Sequence, residues 1–337
     1  MSLIPVNKLQ RIFIKFCQLY VDLLASLTAH WLDDYLEMAR TMFRTICYEM
    51  TKFTCVVAIS IFPTITHALT VTSWNIEWLS LTPSNRFEQS KRTDADFQAL
   101  SRHLKQVSPD ILAFQEVDSI AAIQKVVGNE YTIYFSDRAL SHNHKHQFNE
   151  INQYTGFAIR DTLQVKDLPD FPLTQGNRLR FASAVTLTYK GEKIQLLSVH
   201  LKAGCSGKYS STSSCKQLQR QGKAINNWLK QVEQQGQHYI LLGDFNHNLA
   251  YRGDWLWAQM ISGLTYSPRL TSQSTKASCK VQSNKNPNRT HQFRSLIDHI
   301  IVSPSLRTSP AIQNTMPTKD VLSFNMSDHC PISVTLY

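Results

Sequence analysis

The segment YILLGDFNHN, residues 239–248, constrains the fold of this chain more than any other segment. Its apolar run is typical of a fully buried strand, and Gly243 permits a sharp turn where that strand ends. Asp244 and Asn246 are therefore expected side by side at the carboxyl end of a strand, the edge where open sheets place their chemistry. Their charged and neutral oxygens suit a divalent cation, a phosphoryl oxygen or an attacking water, although an ordinary Gly-Asp turn would also explain this segment by itself.

The same design, an apolar run that ends in polar side chains, recurs along the chain. The further segments are TSWNIE at 72–77, ILAFQE at 111–116, LLSVH at 196–200, LIDHII at 296–301 and MSDHCP at 326–331. One such ending carries little information, whereas so many in one domain need a common cause. In this order the segments resemble the motif blocks of the endonuclease/exonuclease/phosphatase superfamily, which has the deoxyribonuclease I-like fold. The resemblance covers Leu69 to Tyr337. Within the superfamily, the chain resembles an exported bacterial-type member.

Apolar spacing predicts that strands and helices alternate through this region. Helices are predicted over 94–107, 120–127 and 216–234, and strands over 69–74, 111–114, 131–135, 156–159, 182–189 and 193–199. The resemblance supplies their arrangement, which is an α+β fold. It implies a two-sheet β-sandwich flanked by helices, the deoxyribonuclease I-like four-layer α/β sandwich, with the active site at one end of the sandwich.

The resemblance also implies a site for Mg²⁺ or Mn²⁺ built from oxygen ligands. Glu116 would hold the cation, with Asn75 beside it. Asp328 resembles the second carboxylate of the metal site. Glu77 stands where relatives carry a further acidic or polar residue, so it would add a ligand for the same metal.

Hydrolysis of a phosphodiester further requires a water nucleophile and charge neutralisation at the phosphoryl oxygens. By the same resemblance, Asp244 and Asn246 would orient the water and a non-bridging oxygen. His329 would pair with Asp298, which would fix the tautomer of the imidazole and raise its basicity. The other ring nitrogen would then act on the water or the phosphate.

Two further residues complete the predicted site. His200 would serve as a hydrogen-bond donor or general acid near the leaving group, and Arg180 resembles a phosphate-contacting arginine of the deoxyribonuclease branch. His299 must point to the opposite face of its strand from Asp298 and is left out of the site. Each residue alone has a structural explanation, such as a turn residue or a core histidine, but jointly they favour catalysis.

The first 68 residues differ in pattern from the rest. Apolar residues at helical spacing from Leu9 to Ile46 predict a helix or a helical pair. Residues 50–68 then resemble a secretory signal peptide that starts at Met50, so Leu69 would begin the mature chain and residues 1–49 would be an upstream extension. The alternative is an amphipathic helix at 1–49 that docks on a membrane or partner. The apolar core of the signal-like segment 50–68 has about half of the roughly 20 residues that a membrane-spanning helix needs.

The cysteines agree with export to a secreted or periplasmic location. Removal of residues 1–68 leaves four, an even number that suits an oxidising compartment. Cys205 and Cys215 flank the polar loop GKYSSTSS, which would gain order from a bridge, and Cys279 with Cys330 is the pair that remains. A zinc site is disfavoured because neither pair has CxxC spacing.

Charge favours a polyanionic partner. The whole chain carries +10, and residues 69–337 carry 35−6 = 29 basic and 25−5 = 20 acidic residues, or +9. Neutralisation of phosphates releases counterions and draws nucleic acid to such a surface, although an anionic lipid surface would also be attracted. The composition, 42% hydrophobic and 18% charged, is that of a globular domain and not of a disordered chain.

These observations predict an exported Mg²⁺-dependent endonuclease that hydrolyses DNA, or RNA. The apurinic endonuclease branch tends to place tyrosine where this chain has His200, which argues against DNA repair. The alternatives are a secreted sphingomyelinase-like lipid phosphodiesterase and an inositol-phosphate phosphatase. A sphingomyelinase would be expected to expose an aromatic-apolar hairpin to the membrane. The sequence has no clear candidate for such a hairpin, and Trp255-Leu256-Trp257 is the segment to compare with the structure. A non-enzymatic binding protein is disfavoured because every matched position is chemically competent. No stable membrane insertion of the mature domain is expected.

Overall fold

The computed structural model describes residues 68–337 apart from 176, 177 and 284, together with 15–16, 18–20, 37–38 and 41–46. The chain divides into two compact units, Met1–Thr66 and His67–Tyr337. In the first unit the described residues are helical, and the rings of Tyr20 and Phe43 stack with centroids 6.0 Å apart. The signal peptide predicted from Met50 lies outside the described residues except for its last position. Among the described helices none is both long and apolar enough to cross a membrane.

The second unit contains fourteen strands and five α-helices in its described part. The strands are β1 (Leu69–Leu79), β2 (Ile111–Val117), β3 (Tyr131–Phe135), β4 (Tyr154–Arg160), β5 (Gln164–Pro172), β6 (Phe181–Tyr189), β7 (Glu192–His200), β8 (His238–Asp244), β9 (Arg269–Leu270), β10 (Lys280–Ser283), β11 (Asn286–Gln292), β12 (Asp298–Val302), β13 (Ile312–Gln313) and β14 (Ile332–Leu336). The helices are α1 (Asp94–Val107), α2 (Ile120–Val127), α3 (Ser213–Gln234), α4 (Trp255–Met260) and α5 (Thr318–Ser323).

Twelve of these strands form two six-stranded sheets. The first sheet has the order β13-β14-β1-β2-β4-β3 and the second has the order β5-β6-β7-β8-β12-β9. Each sheet has one parallel pair, β1 with β2 and β7 with β8, among antiparallel neighbours. The strands β10 and β11 form a separate antiparallel hairpin. This arrangement confirms the predicted two-sheet sandwich of the deoxyribonuclease I-like fold.

Alternation of side chains along the strands builds the four layers. On β2, Ile111 and Ala113 face the second sheet, whereas Leu112 and Phe114 face α1 and α2. The core between the sheets includes Val71 and Phe157 of the first sheet and Leu196, Ile240 and Ile300 of the second, all buried. The outer face of the second sheet is covered by α3 and α4, through residues such as Leu218, Ile225 and Leu256.

Local signals fix the helix ends where they are strong. The helix α1 has its predicted bounds because Thr93 and Asp96 form a capping box, in which the Thr93 amide donates to Asp96 Oδ2 at 2.7 Å. The helix α3 begins three residues before its predicted start because the Thr212 side chain accepts from the Cys215 amide. The strand β1 continues past its predicted end at residue 74 to Leu79.

Both predicted cysteine pairs are present as disulfides. Cys205 and Cys215 close the loop before α3, with Cα atoms 5.0 Å apart. Cys279, next to the hairpin, is joined to Cys330, which precedes β14, with Cα atoms 5.7 Å apart. Each bridge therefore ties a segment outside the two sheets to the sandwich.

Candidate active site

The predicted site residues converge at one end of the sandwich, and the two sheets contribute different parts of the site. The carboxyl ends of β1, β2, β7 and β8 meet there, because His200 pairs with Asp244 in register and Asp298 pairs with Asp244 on the other side. The first sheet and its neighbouring loop contribute Asn75, Glu77, Glu116, Asp328 and His329, and the second contributes Arg180, His200, Asp244, Asn246 and Asp298.

Gly243 allows the backbone of β8 to approach β7 closely. It has a φ of +146°, and a Cβ atom there would lie 1.9 Å from the carbonyl oxygen of Val199. No other residue fits without moving backbone. The next residue, Asp244, is consequently held at the buried mouth of the sheet, where 1% of its surface is exposed.

Asp244 and Asn246 form a compact polar turn. Asp244 Oδ1 accepts from the Asn246 amide at 2.7 Å, and Oδ2 accepts from Asn246 Nδ2 at 3.1 Å. Asn246 has a φ of +51°, the left-handed conformation that asparagine tolerates. Burial raises the pKa of Asp244 to about 7, which the nearby His329 charge opposes. The carboxyl group can therefore exchange a proton close to neutral pH.

Asn75 links the two sheets at the centre of the site. Its Nδ2 donates to Glu116 Oε1 at 3.0 Å and to Asp244 Oδ2 at 3.1 Å. The second oxygen of Glu116 accepts from the Trp78 amide at 3.2 Å. The extension of β1 beyond Trp74 creates this contact, because Glu77 and Trp78 have positive φ values and the β1–β2 register shifts there.

Glu77, Glu116 and Asp328 form a cluster of carboxylates. Glu77 Oε2 accepts from the Asp328 amide at 2.9 Å. The pKa of Glu77 is raised to about 7, first by burial and then by the charge of Asp328, with a smaller contribution from Glu116. A divalent cation would offset this repulsion, and the donor set consists of the oxygens that Mg²⁺ and Mn²⁺ prefer. These carboxylates therefore supply the donors of a metal site. Asn75 lies beside them and positions Glu116, since its Nδ2 donates to that carboxylate and its Oδ1 accepts from the Glu77 amide at 3.0 Å.

His329 is held by Asp298. Its Nδ1 lies 2.8 Å from Asp298 Oδ2, and its Nε2 lies 3.9 Å from Asp244 Oδ2 and 3.7 Å from Asp328 Oδ1. Burial lowers the pKa of His329, but the charges of Asp298 and Asp244 outweigh burial and raise the pKa well above its ordinary value. The imidazolium thus presents an N–H group from Nε2 toward the carboxylates.

Asp244, Asp298 and His329 could by distance alone hold a metal, since one ligand atom from each lies within 4.8 Å of the others. The bond from His329 Nδ1 to Asp298 does not decide between the two roles, because a metal-bound histidine usually makes the same contact from its other ring nitrogen. We assign the group to proton handling because the charges of Asp298 and Asp244 favour the protonated imidazole, which has no free lone pair for a metal. The carboxylates around Glu116 are the metal site that the sequence resemblance implies.

His200 lies between the two halves of the site. Its Nε2 is 3.5 Å from both Glu116 Oε1 and Asp244 Oδ2. Burial, followed by the charge of Arg180, lowers the pKa of His200 well below its ordinary value. Of the two predicted roles, the lowered pKa favours a neutral hydrogen-bond donor. A general acid would need the ring to be protonated on both nitrogens before it gives a proton away.

Arg180 is partly buried and lies close to Glu116 and Asp244, whose charges oppose the lowering of its pKa by burial. Its Nη2 donates to the Leu201 carbonyl at 3.3 Å, whereas its buried Nε has no hydrogen-bond partner in the described part of the chain. The guanidinium group lies beside the carboxylates of the site and is suited to an anionic phosphoryl oxygen, although Nε itself is closed to solvent.

His299, which we left out of the predicted site, is a core residue. Its Nδ1 lies 2.7 Å from Ser272 Oγ, and its Nε2 accepts from the Leu249 amide. Burial lowers the pKa of His299 to about 4, so the ring is neutral. Asp298 and His299 face opposite sides of the sheet, as the alternation of a strand requires.

Two supporting residues were missed by the sequence reasoning. Arg92 donates to the carbonyls of Glu77 and Met326, at 2.7 and 2.8 Å, and so joins the bend of β1 to the loop that carries His329. Ser327 donates to the Asn75 carbonyl at 2.7 Å and accepts from the His329 amide. Arg92 binds only backbone groups, which leave no pattern in the sequence, whereas Ser327 belongs to the MSDHCP block and could have been found.

His247, in the YILLGDFNHN segment, was also missed. Its Nδ1 lies 2.7 Å from the Cys205 carbonyl oxygen and its Nε2 lies 2.6 Å from Asp254 Oδ2. Burial lowers the pKa of His247, but the bonds to Asp254 and Cys205 outweigh burial and raise the pKa. Both partners are acceptors, so the doubly protonated ring satisfies both.

Comparisons with known proteins agree with this geometry. A sequence model described as "Endonuclease/Exonuclease/phosphatase family" matches residues 72–329. No curated protein matches the chain. Among solved structures, TDP2 from Caenorhabditis elegans is 18% identical, covers 100% of this chain and 95% of its own, and has a TM-score of 0.56.

Two further structures have the same fold. The mannosyl-6-phosphatase of Bacteroides thetaiotaomicron is 16% identical over 80% of this chain and 99% of its own, with a TM-score of 0.54. The human Nocturnin catalytic domain with bound sulfate is 18% identical over 80% of this chain and 94% of its own, also with a TM-score of 0.54. At these identities the likeness concerns the fold.

Proposed function

Because the chain belongs to the endonuclease/exonuclease/phosphatase family of phosphoric ester hydrolases, we propose that it is an endonuclease that hydrolyses DNA, with RNA as the alternative nucleic-acid substrate, by metal-assisted attack of water on phosphorus. The observation that carries this proposal is the meeting of the His329–Asp298 pair with Asp244 and the Glu116 carboxylate cluster at one end of the sandwich. The basic charge of residues 69–337 favours a polyanionic substrate over a small phosphate ester.

The cation site in this proposal consists of Glu116, Asn75, Glu77 and Asp328. When it is bound, Mg²⁺ or Mn²⁺ supplies charge neutralisation at the phosphoryl oxygens. The Asn75 amide orients Glu116 and Asp244 at once, since Nδ2 donates to both carboxylates. Family enzymes generally depend on a divalent metal, and these oxygen donors support Mg²⁺ or Mn²⁺ here.

The other side of the site handles the water and the phosphate. Asp244, whose pKa is raised to about 7 by burial, would accept the proton of the attacking water. His329, kept protonated by Asp298 and Asp244, would donate from Nε2 to a non-bridging oxygen. The Nε2 of His200 and the guanidinium charge of Arg180 would stabilise the charge that develops on the phosphate and the leaving oxygen.

The Trp255-Leu256-Trp257 segment makes contacts within the protein. Leu256 is buried, and Trp255 Nε1 donates to the Gly207 carbonyl at 3.0 Å. Its ring also packs against His247 and Tyr209. These contacts weaken the case for a sphingomyelinase-like enzyme.

We also propose that the enzyme is secreted or periplasmic and that residues 69–337 are its catalytic domain. The support is the signal-like pattern at 50–68 and the two disulfides of the domain, which suit an oxidising compartment.

One assay tests the substrate class. The purified chain is offered plasmid DNA, RNA, sphingomyelin and inositol phosphates in parallel, with Mg²⁺, Mn²⁺ or EDTA. We expect nicking of the plasmid with a metal present and none in EDTA. Hydrolysis of sphingomyelin or an inositol phosphate without cleavage of either nucleic acid would replace the proposed substrate.

A further inference from the structure

A long part of the chain beside the active site carries positive charge and no negative charge. Residues 255–297 lack aspartate and glutamate altogether. The same stretch contains six basic residues: Arg269, Lys276, Lys280, Lys285, Arg289 and Arg294. The chain as a whole carries 25 acidic residues, so their absence here concentrates the positive charge on one surface.

All of these basic residues except Arg269 lie on the β10–β11 hairpin and the segments that lead into it and out of it. Each of these five side chains belongs to an exposed residue. None of them has a carboxylate partner within 4.0 Å in the described residues, unlike Lys91 and Lys125, which pair with Glu88 and Asp94. Their charges are therefore available to a ligand.

The hairpin borders the catalytic residues on two sides. A cleft of about 430 Å³ is lined by Asp298 and His329 together with Phe293 and Arg294. A smaller cavity of about 90 Å³ brings Val281, in β10, to the same space as Glu77 and Asp328. A polymeric substrate with one phosphate at the catalytic residues would therefore also contact the hairpin.

The hairpin is fixed to the catalytic loop. The Cys279–Cys330 disulfide joins the residue before β10 to the residue after His329. The buried Val281 packs in the same core cluster as Val321 of α5. Gln313 Oε1 accepts from the Cys279 amide at 2.9 Å. The position of the charges relative to His329 is thus set before a ligand binds, which lowers the entropic cost of binding.

We propose that the β10–β11 hairpin is a binding arm for the phosphate backbone of a polynucleotide, beside the phosphate that is cleaved. This inference rests on the proposed nuclease function and narrows the substrate to a chain of several nucleotides. The seven residues of β11 extend over about 20 Å. That length spans several phosphates of one strand.

Phe293 supplies a second kind of contact. Its ring is exposed at the mouth of the larger cleft, 43% of its surface being accessible, and packs edge-on against His291 with centroids 5.1 Å apart. An exposed aromatic face beside a basic track is the arrangement on which unpaired bases stack. The arm otherwise exposes polar side chains, so a nucleic acid fits it better than the apolar interior of a membrane does.

The test compares two double variants of the full chain with matched charge. Lys285→Gln with Arg289→Gln removes two charges from the arm, whereas Lys166→Gln with Lys193→Gln removes two exposed charges from the second sheet, away from the arm. Binding of a fluorescent single-stranded oligonucleotide is measured in EDTA as a function of salt, so that cleavage plays no part. Turnover of a small chromogenic phosphodiester with Mg²⁺ reports on the catalytic centre.

We expect the arm variant to bind more weakly and the slope of log K against log salt to fall by about 1.4 for two single-strand phosphate contacts, while the control variant keeps the wild-type slope. Turnover of the small diester should be unchanged in both. Phe293→Ala should weaken binding of the single strand by about fivefold or more, with little effect on a duplex.

Equal salt slopes for the arm variant and the wild type would refute the binding arm, and the nuclease function would stand if plasmid is still cleaved. Failure of the wild type to cleave any nucleic acid would instead refute the proposed function. Binding of phosphatidylserine vesicles, lost in the arm variant while oligonucleotide binding is kept, would assign the surface to a membrane and overturn the inference.

Discussion

Replacement of His329 by alanine tests the division of the site into a metal part and a proton part. The change removes the Nε2–H group that faces Asp244 at 3.9 Å and leaves the carboxylates of Glu116 and Glu77 in place. We therefore expect turnover to collapse and metal affinity to remain nearly intact. Asp298→Ala should act through the same group, because its Oδ2 is the partner of His329 Nδ1 at 2.8 Å.

The magnitude follows from the role. Loss of one preorganised hydrogen-bond donor to an oxygen that gains charge costs roughly 10²–10³-fold in rate, which is about 2.7–4 kcal/mol of transition-state stabilisation. The double variant His329→Ala with Asp298→Ala should lose little more than His329→Ala alone, because residues that act as a unit are not additive. The charge of His329 also lowers the pKa of Asp244. Its removal raises that pKa, so the acid limb of the residual activity should move to higher pH.

The measurements are plasmid nicking rates across pH and calorimetric titration with Mn²⁺. His238→Ala is the control, since this histidine lies at the opposite end of β8 from Asp244. Near-normal cleavage by His329→Ala would mean that the SDHCP block is structural and that the mechanism must be reassigned. A loss of Mn²⁺ binding equal to the loss of turnover would show that His329 is a metal ligand.

Four further results are expected. Glu116→Gln should require more Mg²⁺ for half-maximal rate, in a metal titration of turnover, and an unchanged requirement would remove Glu116 from the metal site. Gly243→Ala should destabilise the fold by about 2–6 kcal/mol in urea unfolding, whereas Gly191→Ala, with a φ of +82° and open space around it, should cost only backbone strain. The pKa of His247 is raised in the folded state. Its stabilising contribution is therefore complete below the unfolded pKa of about 6.5 and is lost as pH rises through the folded pKa. The stability deficit of His247→Gln should accordingly shrink at high pH. Mass spectrometry of the native protein should find an amino terminus near Leu69, and a mature chain that still contains residues 1–49 would contradict export from Met50.

The helices and the main strands could be predicted because their signals are local. Apolar spacing gives α1 and α2 the bounds that the sequence predicts, together with a capping box at α1 and the N-cap residue Ser119 at α2. The end of β1 could not be predicted, since the turn at Glu77 and Trp78 depends on a register shift against β2 and on Arg92 from elsewhere in the chain. The hairpin escaped prediction because its strands are polar and its position is set by a disulfide and not by an apolar face.

The candidate site was more predictable than the hairpin. Its residues follow apolar strands whose ends meet, so the sequence blocks already contain the side chains that the fold brings together. The electrostatics were not predictable in the same way. The low pKa of His200 arises from burial and from the charge of Arg180, whereas the high pKa of His329 arises from the charges of Asp298 and Asp244, which outweigh burial. These neighbours are distant in the sequence.

The site residues come from two separate sheets, so the activity of the site depends on how those sheets are aligned. Asn75 on one sheet reaches Asp244 on the other at 3.1 Å, and His329 reaches Asp298 at 2.8 Å. A slide of one sheet over the other by a single residue step, about 3.3 Å, would break both contacts while burying nearly the same apolar area. Turnover would therefore report misalignment of the sandwich that circular dichroism or bulk fluorescence would miss.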